Sequence, residues 1–131
     1  MTADSSNLNL SKIGQIAVSV SDINRATKFY RDTLGMRFLF SAPPGMSFFD
    51  CDGVRLMLTV PERGGEESKG NSVIYYTVED VRQATDTLKS RGVRFIGEPH
   101  VIHRTDTYEL WMSFFTDPDD NTLALMAEVA K

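Results

Sequence analysis

The sequence predicts an α+β fold made of two tandem modules, each with one strand, one helix and then three strands. Residues 16–38 and 74–95 repeat one another, and each copy passes from the two-residue period of a strand to the period of a helix. A polar, glycine-rich stretch separates the copies. The matched residues are Ile16 with Ile74, Val20 with Val78, Asp22 with Asp80, Ala26 with Ala84, Thr27 with Thr85 and, after a gap of one residue, Gly35 with Gly92.

Length and composition are those of an ordinary single globular domain. The 131 residues (14.7 kDa) are 41% apolar and 24% charged, and the formal net charge is −4. This acidic balance, with no basic stripe, argues against a nucleic-acid partner. The single cysteine, Cys51, suits a reducing compartment because it cannot form an internal disulfide. We find no secretory signal and no apolar run long enough for a membrane span, so we expect a cytoplasmic protein without a membrane partner.

The first module is predicted at about residues 13–61. Its first strand shows Ile16, Val18 and Val20 in alternation with small or polar residues. Asp22 is expected to cap the helix, and Gly35 to end it. Three strands follow, joined by a Pro-Pro-Gly turn and an Asp-Gly hairpin, at Met36–Phe40, Ser47–Cys51 and Val54–Val60.

The second module, at about residues 72–129, follows a connector at about 62–71 and repeats the same order. Its helix is predicted between Asp80 and Gly92. The turn at 117–121 precedes the last strand. The predicted strands are Val73–Val78, Val93–Ile96 (with an irregular extension toward Ile102 left open), Tyr108–Phe115 and Thr122–Val129.

These stretches resemble the vicinal oxygen chelate superfamily, which includes glyoxalase I, bleomycin-resistance proteins and extradiol dioxygenases. The matching segments are IAVSVSDINRATKFYRDTLGMRF, GVRLMLTVPE, YYTVEDVRQATDTLKSRGVRF and FFTDPDDNTLALM. The resemblance implies one glyoxalase-like domain over residues 1–131, whose two modules form curved mixed sheets that enclose a cavity. It also implies a homodimer. The superfamily contains isomerases, lyases, oxygenases, transferases and binding proteins, so the resemblance does not fix a reaction.

The metal site of such proteins has no obvious counterpart here. Metal-dependent members take ligands from the first and last strands of each module, and those positions match Gln15, Met57, Val73 and Ala124. Only the amide of Gln15 is a suitable donor, because a thioether is a poor ligand for most divalent metals and aliphatic side chains have no donor atom. We therefore expect neither a metal nor another cofactor at this site.

A relocated divalent metal is the alternative. His100, His103 and Glu109 would form a set of two histidines and one carboxylate. The two histidines are three residues apart, so on a regular strand they face opposite sides, and only a bulge or loop would bring them together. The simpler interpretation places both in a connection between strands, with ordinary hydrogen bonds.

Strand alternation predicts which side chains line the cavity. The candidate ligand-binding residues are Gln15, Arg55, Met57, Tyr75 and Trp111. Arg55 would pair with a carboxylate, a phosphate or a buried acid such as Asp50 or Glu109. Tyr75 would donate to a ligand oxygen, and Gln15 would orient a carbonyl. An arginine at the sheet rim and a tyrosine in the core are the competing interpretations. The phenylalanines at 48, 49, 114 and 115 are expected to be core and sheet contacts.

Two functions remain open from the sequence. The first is a small-molecule-binding protein without the usual metal, whose ligand is apolar or aromatic. The second is a lyase, isomerase or dioxygenase-like enzyme that uses the relocated metal or metal-free acid–base catalysis. In that enzyme Glu109 would be the base, with its pKa raised beside Trp111. A solvated carboxylate at a strand end is the competing interpretation of Glu109.

Overall fold

The computed structural model describes residues 8–61 and 72–131. The predicted connector at 62–71 lies outside the described residues. The first module contains β1 (Gln15–Ser19), α1 (Ile23–Lys28), a π-helical segment (Phe29–Thr33), β2 (Arg37–Ala42), β3 (Met46–Cys51) and β4 (Val54–Thr59). Its four strands form one sheet in the order β1-β4-β3-β2, in which β1 is parallel to β4 and the other neighbours are antiparallel.

The second module repeats this topology. It contains β5 (Ile74–Thr77), α2 (Val81–Ser90), β6 (Phe95–Arg104), β7 (Tyr108–Thr116) and β8 (Thr122–Ala130). The sheet order is β5-β8-β7-β6, with β5 parallel to β8. The predicted α+β class and the strand–helix–three-strand order are therefore confirmed. No helix among the described residues is long and apolar enough to cross a membrane.

The π-helical segment explains the one-residue gap in the sequence repeat. α1 and the π-helical segment together cover residues 23–33, whereas α2 covers 81–90. The amide of Leu34 donates to the carbonyl of Phe29, five residues back, at 2.9 Å. A π turn takes up one more residue than an α turn, so the first module accommodates the extra residue without changing the direction of its helix.

The predicted helix caps and turns are observed. The carboxylates of Asp22 and Asp80 accept the amides of Arg25 and Gln83, each at 3.0 Å. Both helices end at a glycine with positive φ, as predicted. The hairpin between β3 and β4 has positive φ at both central residues, Asp52 and Gly53, which is the geometry of a type I′ turn.

The strand predicted at Val93–Ile96 is longer than the periodicity indicated. β6 continues to Arg104, and its pairing with β7 skips residues between Ile96 and His100 and again between Val101 and His103. These bulges interrupt the alternation of apolar residues on which the prediction depended. His100 and His103 therefore lie within a strand, not in the connection between strands that the simpler interpretation expected.

One face of each sheet packs against the helices, and the buried residues of these two faces form a single hydrophobic core. Leu56, Leu58, Leu123 and Leu125 are at most 4% exposed, which confirms the predicted strand parity. The buried core spans both modules and contains Val20, Ala26, Tyr30, Phe49, Leu56, Leu58, Val81, Leu88, Val93, Phe115, Leu123, Leu125 and Ala127. The opposite face of each sheet carries the alternate residues, and we call this side the open face.

The two modules are joined on one side by a buried polar network. The hydroxyl of Tyr30 donates to Asp117 at 2.8 Å, and both residues are buried. The amide of the Asn121 side chain donates to the carbonyl of Ser19 at 3.0 Å. Arg25 forms an ion pair with Asp119 at 3.2 Å. The turn between β7 and β8 thereby docks against the first module.

The duplication supplies a matched pair of stability variants. Buried Ser47 shares a hydrogen bond of 2.7 Å with Thr27, whereas the equivalent pair in the second module, Ser113 and Thr85, has no hydrogen-bond partner among the described residues. We expect Ser47→Ala to lower the free energy of unfolding by about 1 kcal/mol, because it removes a buried hydrogen bond.

Ser113→Ala is expected to leave stability unchanged or raise it slightly, because a buried hydroxyl without a partner is itself unfavourable. Urea unfolding of both variants measures the difference. Equal losses in the two variants would contradict this assignment of the hydrogen bonds.

Candidate functional site

The open face of the first module collects three of the predicted ligand-binding residues. Gln15 lies beside Arg55 in the register of β1 and β4, and Ala17 lies beside Met57. The side chains of Gln15 and Arg55 are exposed, and Met57 is half-buried. Strand parity therefore predicted this part of the site, and β1 and β4 hold it because they are neighbours in the sheet.

Two phenylalanines complete this surface. Phe40 and Phe48 stack with ring centroids 4.6 Å apart and an interplanar angle of 21°. The guanidinium carbon of Arg55 lies 5.8 Å from the centre of the Phe48 ring and 6.0 Å from that of Phe40. This is within the range of a cation–π contact, and the two rings present an apolar platform beside a positive charge.

A β-bulge places Phe40 on the open face. Phe38 pairs with Phe49 and Phe40 pairs with Phe48, so Leu39 is the extra residue of β2. Phe38 then packs against the core while Phe40 faces Arg55. Phe48 and Phe49 are both buried, as expected, but on opposite faces of the sheet: Phe49 packs in the shared core, and Phe48 packs against Phe40 and Arg55.

The charge of Arg55 is not neutralised by a neighbour. Asp50 is its register partner on β3, yet among the described residues Arg55 takes part in no ion pair. One carboxylate oxygen of Asp50 instead accepts the amide of Gly53 at 3.2 Å. The guanidinium is therefore free to bind an anion at the aromatic platform.

The second module contributes an aromatic pair. Tyr75 and Phe114 contact edge to face, with ring centroids 6.0 Å apart. Both are register neighbours of Ala124, which is fully buried between them. Tyr75 is 44% exposed, so the competing interpretation of a core tyrosine is wrong and its hydroxyl is accessible.

The four positions of the superfamily's metal site do not form a suitable donor set. The side-chain amide of Gln15 points its nitrogen at the sulfur of Met57, 3.9 Å away. Ala124 is covered by the Tyr75–Phe114 pair, and Val73 offers no donor atom. One amide oxygen and one thioether do not meet the requirement of about three good ligands for a divalent metal.

Trp111 and Glu109 lie on the opposite face from the rest of the predicted site. Trp111 packs against the core, and the guanidinium of Arg82 on α2 lies 5.1 Å from its ring. It therefore does not join Gln15, Arg55 and Met57. Trp111 lies on the same face of β7 as Phe115, which is buried in the core.

Glu109 has the environment of a stable carboxylate and not of a base with a raised pKa. Arg104 donates to one of its oxygens at 3.1 Å and the indole nitrogen of Trp111 donates to the other at 3.3 Å. The hydrogen bond from Arg104, with a smaller one from Trp111, holds the pKa of Glu109 below its ordinary value. The acid–base alternative loses its physical basis at this residue.

The relocated metal set is not assembled. The register of β6 and β7 places His100 opposite Met112 and His103 opposite Leu110. A ring nitrogen of His100 lies 2.9 Å from the carbonyl of Glu98. Within residues 8–61 and 72–131, no three histidine, cysteine or acidic side chains are close enough to hold one metal ion.

Comparison with known proteins identifies the family. The sequence profile of the Glyoxalase/Bleomycin resistance protein/Dioxygenase superfamily matches residues 12–125. The uncharacterized protein YraH of Bacillus subtilis is 27% identical over 126 residues, which cover 87% of this chain and 96% of YraH. A second uncharacterized protein of the same organism, YetH, is 28% identical over 126 residues, which cover 88% of this chain and 98% of YetH.

Solved structures show the same fold. A superfamily member from Sphaerobacter thermophilus has a TM-score of 0.75 at 24% identity, over 91% of this chain and 98% of that one. Lactoylglutathione lyase from Agrobacterium tumefaciens has a TM-score of 0.68 at 20% identity, over 91% and 95% of the two chains. The resemblance inferred from the repeat is thus confirmed, and the chain belongs to the Glyoxalase/Bleomycin resistance protein/Dioxygenase superfamily.

Proposed function

We propose that this chain is a small-molecule-binding protein whose open face takes an aromatic or apolar anion without the help of a metal. The observation that carries the proposal is the unneutralised guanidinium of Arg55 beside the stacked rings of Phe40 and Phe48. A planar ligand would stack on the exposed ring of Phe40, and its carboxylate or phosphate would pair with Arg55.

Polar groups at the edge of this surface would set the orientation of the ligand. Gln15 lies next to Arg55 in the sheet and offers both a carbonyl and an amide. Tyr75 would donate its hydroxyl to a ligand oxygen from the second module. A few convergent polar groups around an apolar surface are typical of small-molecule sites.

A metal-free mode of binding is supported by the donor chemistry of the site. Gln15, Met57, Val73 and Ala124 would leave a divalent ion with a single good ligand. We therefore propose that burial and charge pairing hold the ligand. Elemental analysis of the protein, purified without chelators, would contradict this if it found a transition metal near one equivalent.

A homodimer would cover the open face. Phe40, Tyr75 and Ile96 are 45%, 44% and 56% exposed on the single chain, and they belong to the open faces of the two sheets. Apolar residues grouped on one surface indicate an interface. We propose that a second copy of this chain faces this surface and encloses the ligand between the two copies, and sedimentation as a monomer at all concentrations would contradict this.

The binding proposal is tested with 2-naphthoate, which combines a flat apolar body with a carboxylate. We expect Arg55→Ala to weaken its binding about tenfold, which corresponds to about 1.4 kcal/mol. Arg55→Lys should recover part of the loss, because lysine restores the charge but not the planar fork. Calorimetric titration measures the dissociation constants.

Arg82→Ala is the matched control for this titration. Arg82 also lies over an aromatic ring, that of Trp111, but on the helix side of the sheet. Its removal should leave the affinity for 2-naphthoate unchanged. An unchanged affinity in Arg55→Ala, or an equal loss in the two variants, would contradict the assignment of the site to the open face.

A further inference from the structure

A pocket of about 640 Å³ lies between the two modules on the helix side, away from the open face. One wall is a continuous stripe of α2 and the residues just flanking it, at the spacing of successive helical turns: Asp80, Gln83, Ala84, Thr87, Leu88 and Arg91. The opposite wall is apolar and comes from Leu34 and Met36 of the first module. Its volume falls within the usual range for small-molecule sites.

The internal repeat shows why this pocket is open. In the first module, the residues equivalent to Thr87 and Leu88 are Phe29 and Tyr30. Their rings pack against each other with centroids 5.6 Å apart, and Tyr30 is fully buried in contact with Asp117. Two aromatic side chains therefore occupy much of the space on one side of the module interface, where a smaller pocket of about 350 Å³ remains beside Phe29. On the other side a threonine and a leucine leave it open.

Polar pairing at the interface follows the same asymmetry. Tyr30 finds a partner in Asp117, whereas the buried hydroxyl of Tyr76, which belongs to the pocket wall, has no hydrogen-bond partner among the described residues. The tyrosine on the first side is thus paired with a carboxylate, whereas the tyrosine at the pocket is not. An unfilled apolar groove of this size loses packing contacts that a ligand would restore.

The charges at the two ends of the pocket select the ligand. Arg91 follows the carboxyl end of α2, and Glu79 and Asp80 precede its amino end, about 16 Å away along the helix axis. One nitrogen of Arg91 donates to the carbonyl of Thr33 at 2.8 Å, and within the described residues Arg91 has no acidic partner. An anionic head would be attracted to Arg91 and repelled from the acidic end.

We propose that this pocket between the modules is a second ligand site, for an elongated and mainly apolar organic anion whose head group pairs with Arg91 and whose body lies along α2 against Leu34 and Met36. This site is separate from the open face and does not depend on the function proposed there. Its ligand enters between the modules, at the position equivalent to that of the Phe29 and Tyr30 rings on the other side of the interface.

The test uses 1-anilinonaphthalene-8-sulfonate, an apolar anion whose fluorescence rises in an apolar environment. Thr87→Phe copies the residue found at the equivalent position of the first module and fills the pocket. We expect it to weaken binding of the dye about tenfold. Arg91→Gln should weaken it about fivefold, because it removes the charge partner of the head group.

A matched control locates the bound dye. Arg82→Gln removes an arginine from the same helix outside the pocket, and it should not change the affinity more than about twofold. Thermal unfolding first shows that each variant is folded, because a loosened core also binds the dye. If Thr87→Phe fails to fold, Gln83→Phe blocks the same pocket from the next turn of α2. Unchanged binding in the blocking variant, or an equal loss in Arg82→Gln, would overturn the proposal.

Discussion

Replacing Asp117 by alanine is expected to lower the free energy of unfolding by about 3 kcal/mol, because it removes the acceptor of a buried hydrogen-bond network. Asp117 is 3% exposed. It accepts the hydroxyl of Tyr30 at 2.8 Å and three further N–H groups, from Asp119 and from the backbone and side chain of Asn121, each at 2.9 Å. Without the carboxylate, the buried hydroxyl of Tyr30 and the partly buried backbone amides of Asp119 and Asn121 lose their acceptor.

The same turn contains a second aspartate whose substitution removes the same charge and can serve as a control. Asp120 is exposed and forms a surface ion pair with Arg94 at 3.0 Å. We expect Asp120→Asn to change stability by less than about 1 kcal/mol, because exposed ion pairs contribute little and asparagine tolerates the positive φ at this position. Urea unfolding at neutral pH compares the two variants. Similar losses in both would show that the network around Asp117 is not what joins the modules.

The Asp117 network also explains how the two modules are oriented. It docks the β7–β8 turn onto the first module through Ser19, Ser21, Arg25 and Tyr30. The equivalent turn of the first module is the Asp-Gly hairpin, with two residues between the last paired positions, compared with five in the second module. The described hydrogen bonds of the shorter turn include no equivalent of this network, so the polar network joins the modules on one side and the larger pocket lies beside α2.

Strand parity predicted the part of the site that lies on β1, β4 and β5. These strands alternate clearly between apolar and polar or small residues, so the faces of Gln15, Arg55 and Tyr75 could be assigned before the structure was known. The caps at Asp22 and Asp80 were equally predictable. The side chain of an aspartate at the start of a helix accepts the backbone amide three residues later, and this local hydrogen bond does not depend on where the helix packs.

On β7 and β6, strand alternation did not assign the side chains to the correct face of the sheet, and the reasons are physical. The segment containing Trp111 and Phe114 is apolar on both faces, because one face covers the core and the other belongs to the open face, so hydrophobicity alone does not distinguish them. On β6, the bulges around His100 and His103 break the two-residue period. The pocket beside α2 was not predictable from either module, because it exists only where the two modules dock.

A rise in pH above about 10 is expected to destabilise the fold steeply, because buried tyrosines cannot ionise in place. Burial is the main cause that raises the pKa of the Tyr30 hydroxyl well above its ordinary value, and the nearby charge of Asp117 raises it further. Burial raises the pKa of Tyr76 as well, with smaller contributions from Cys51 and Asp117. In the unfolded chain both hydroxyls ionise near their ordinary pKa of about 10.

The direction of this change in stability follows from the number of protons that the folded and unfolded chains bind. Above pH 10 the unfolded chain releases protons that the folded chain keeps, so the free energy of unfolding falls as pH rises. Each tyrosine contributes a loss of about 1.4 kcal/mol at pH 11 relative to neutral pH. The stability from these groups is fully present below pH 10 and is lost progressively above it.

Tyr30→Phe isolates the contribution of one proton. At neutral pH this variant should be less stable than the wild type by about 1 to 2 kcal/mol, because the carboxylate of Asp117 loses a buried hydrogen bond. Phenylalanine cannot ionise, so the deficit should shrink as pH rises and nearly disappear by about pH 11. Urea unfolding of both proteins from pH 7 to 11 measures this convergence. A deficit that stays constant with pH would mean that Tyr30 ionises in the folded protein, and that its hydroxyl is not held between the modules as the structure shows.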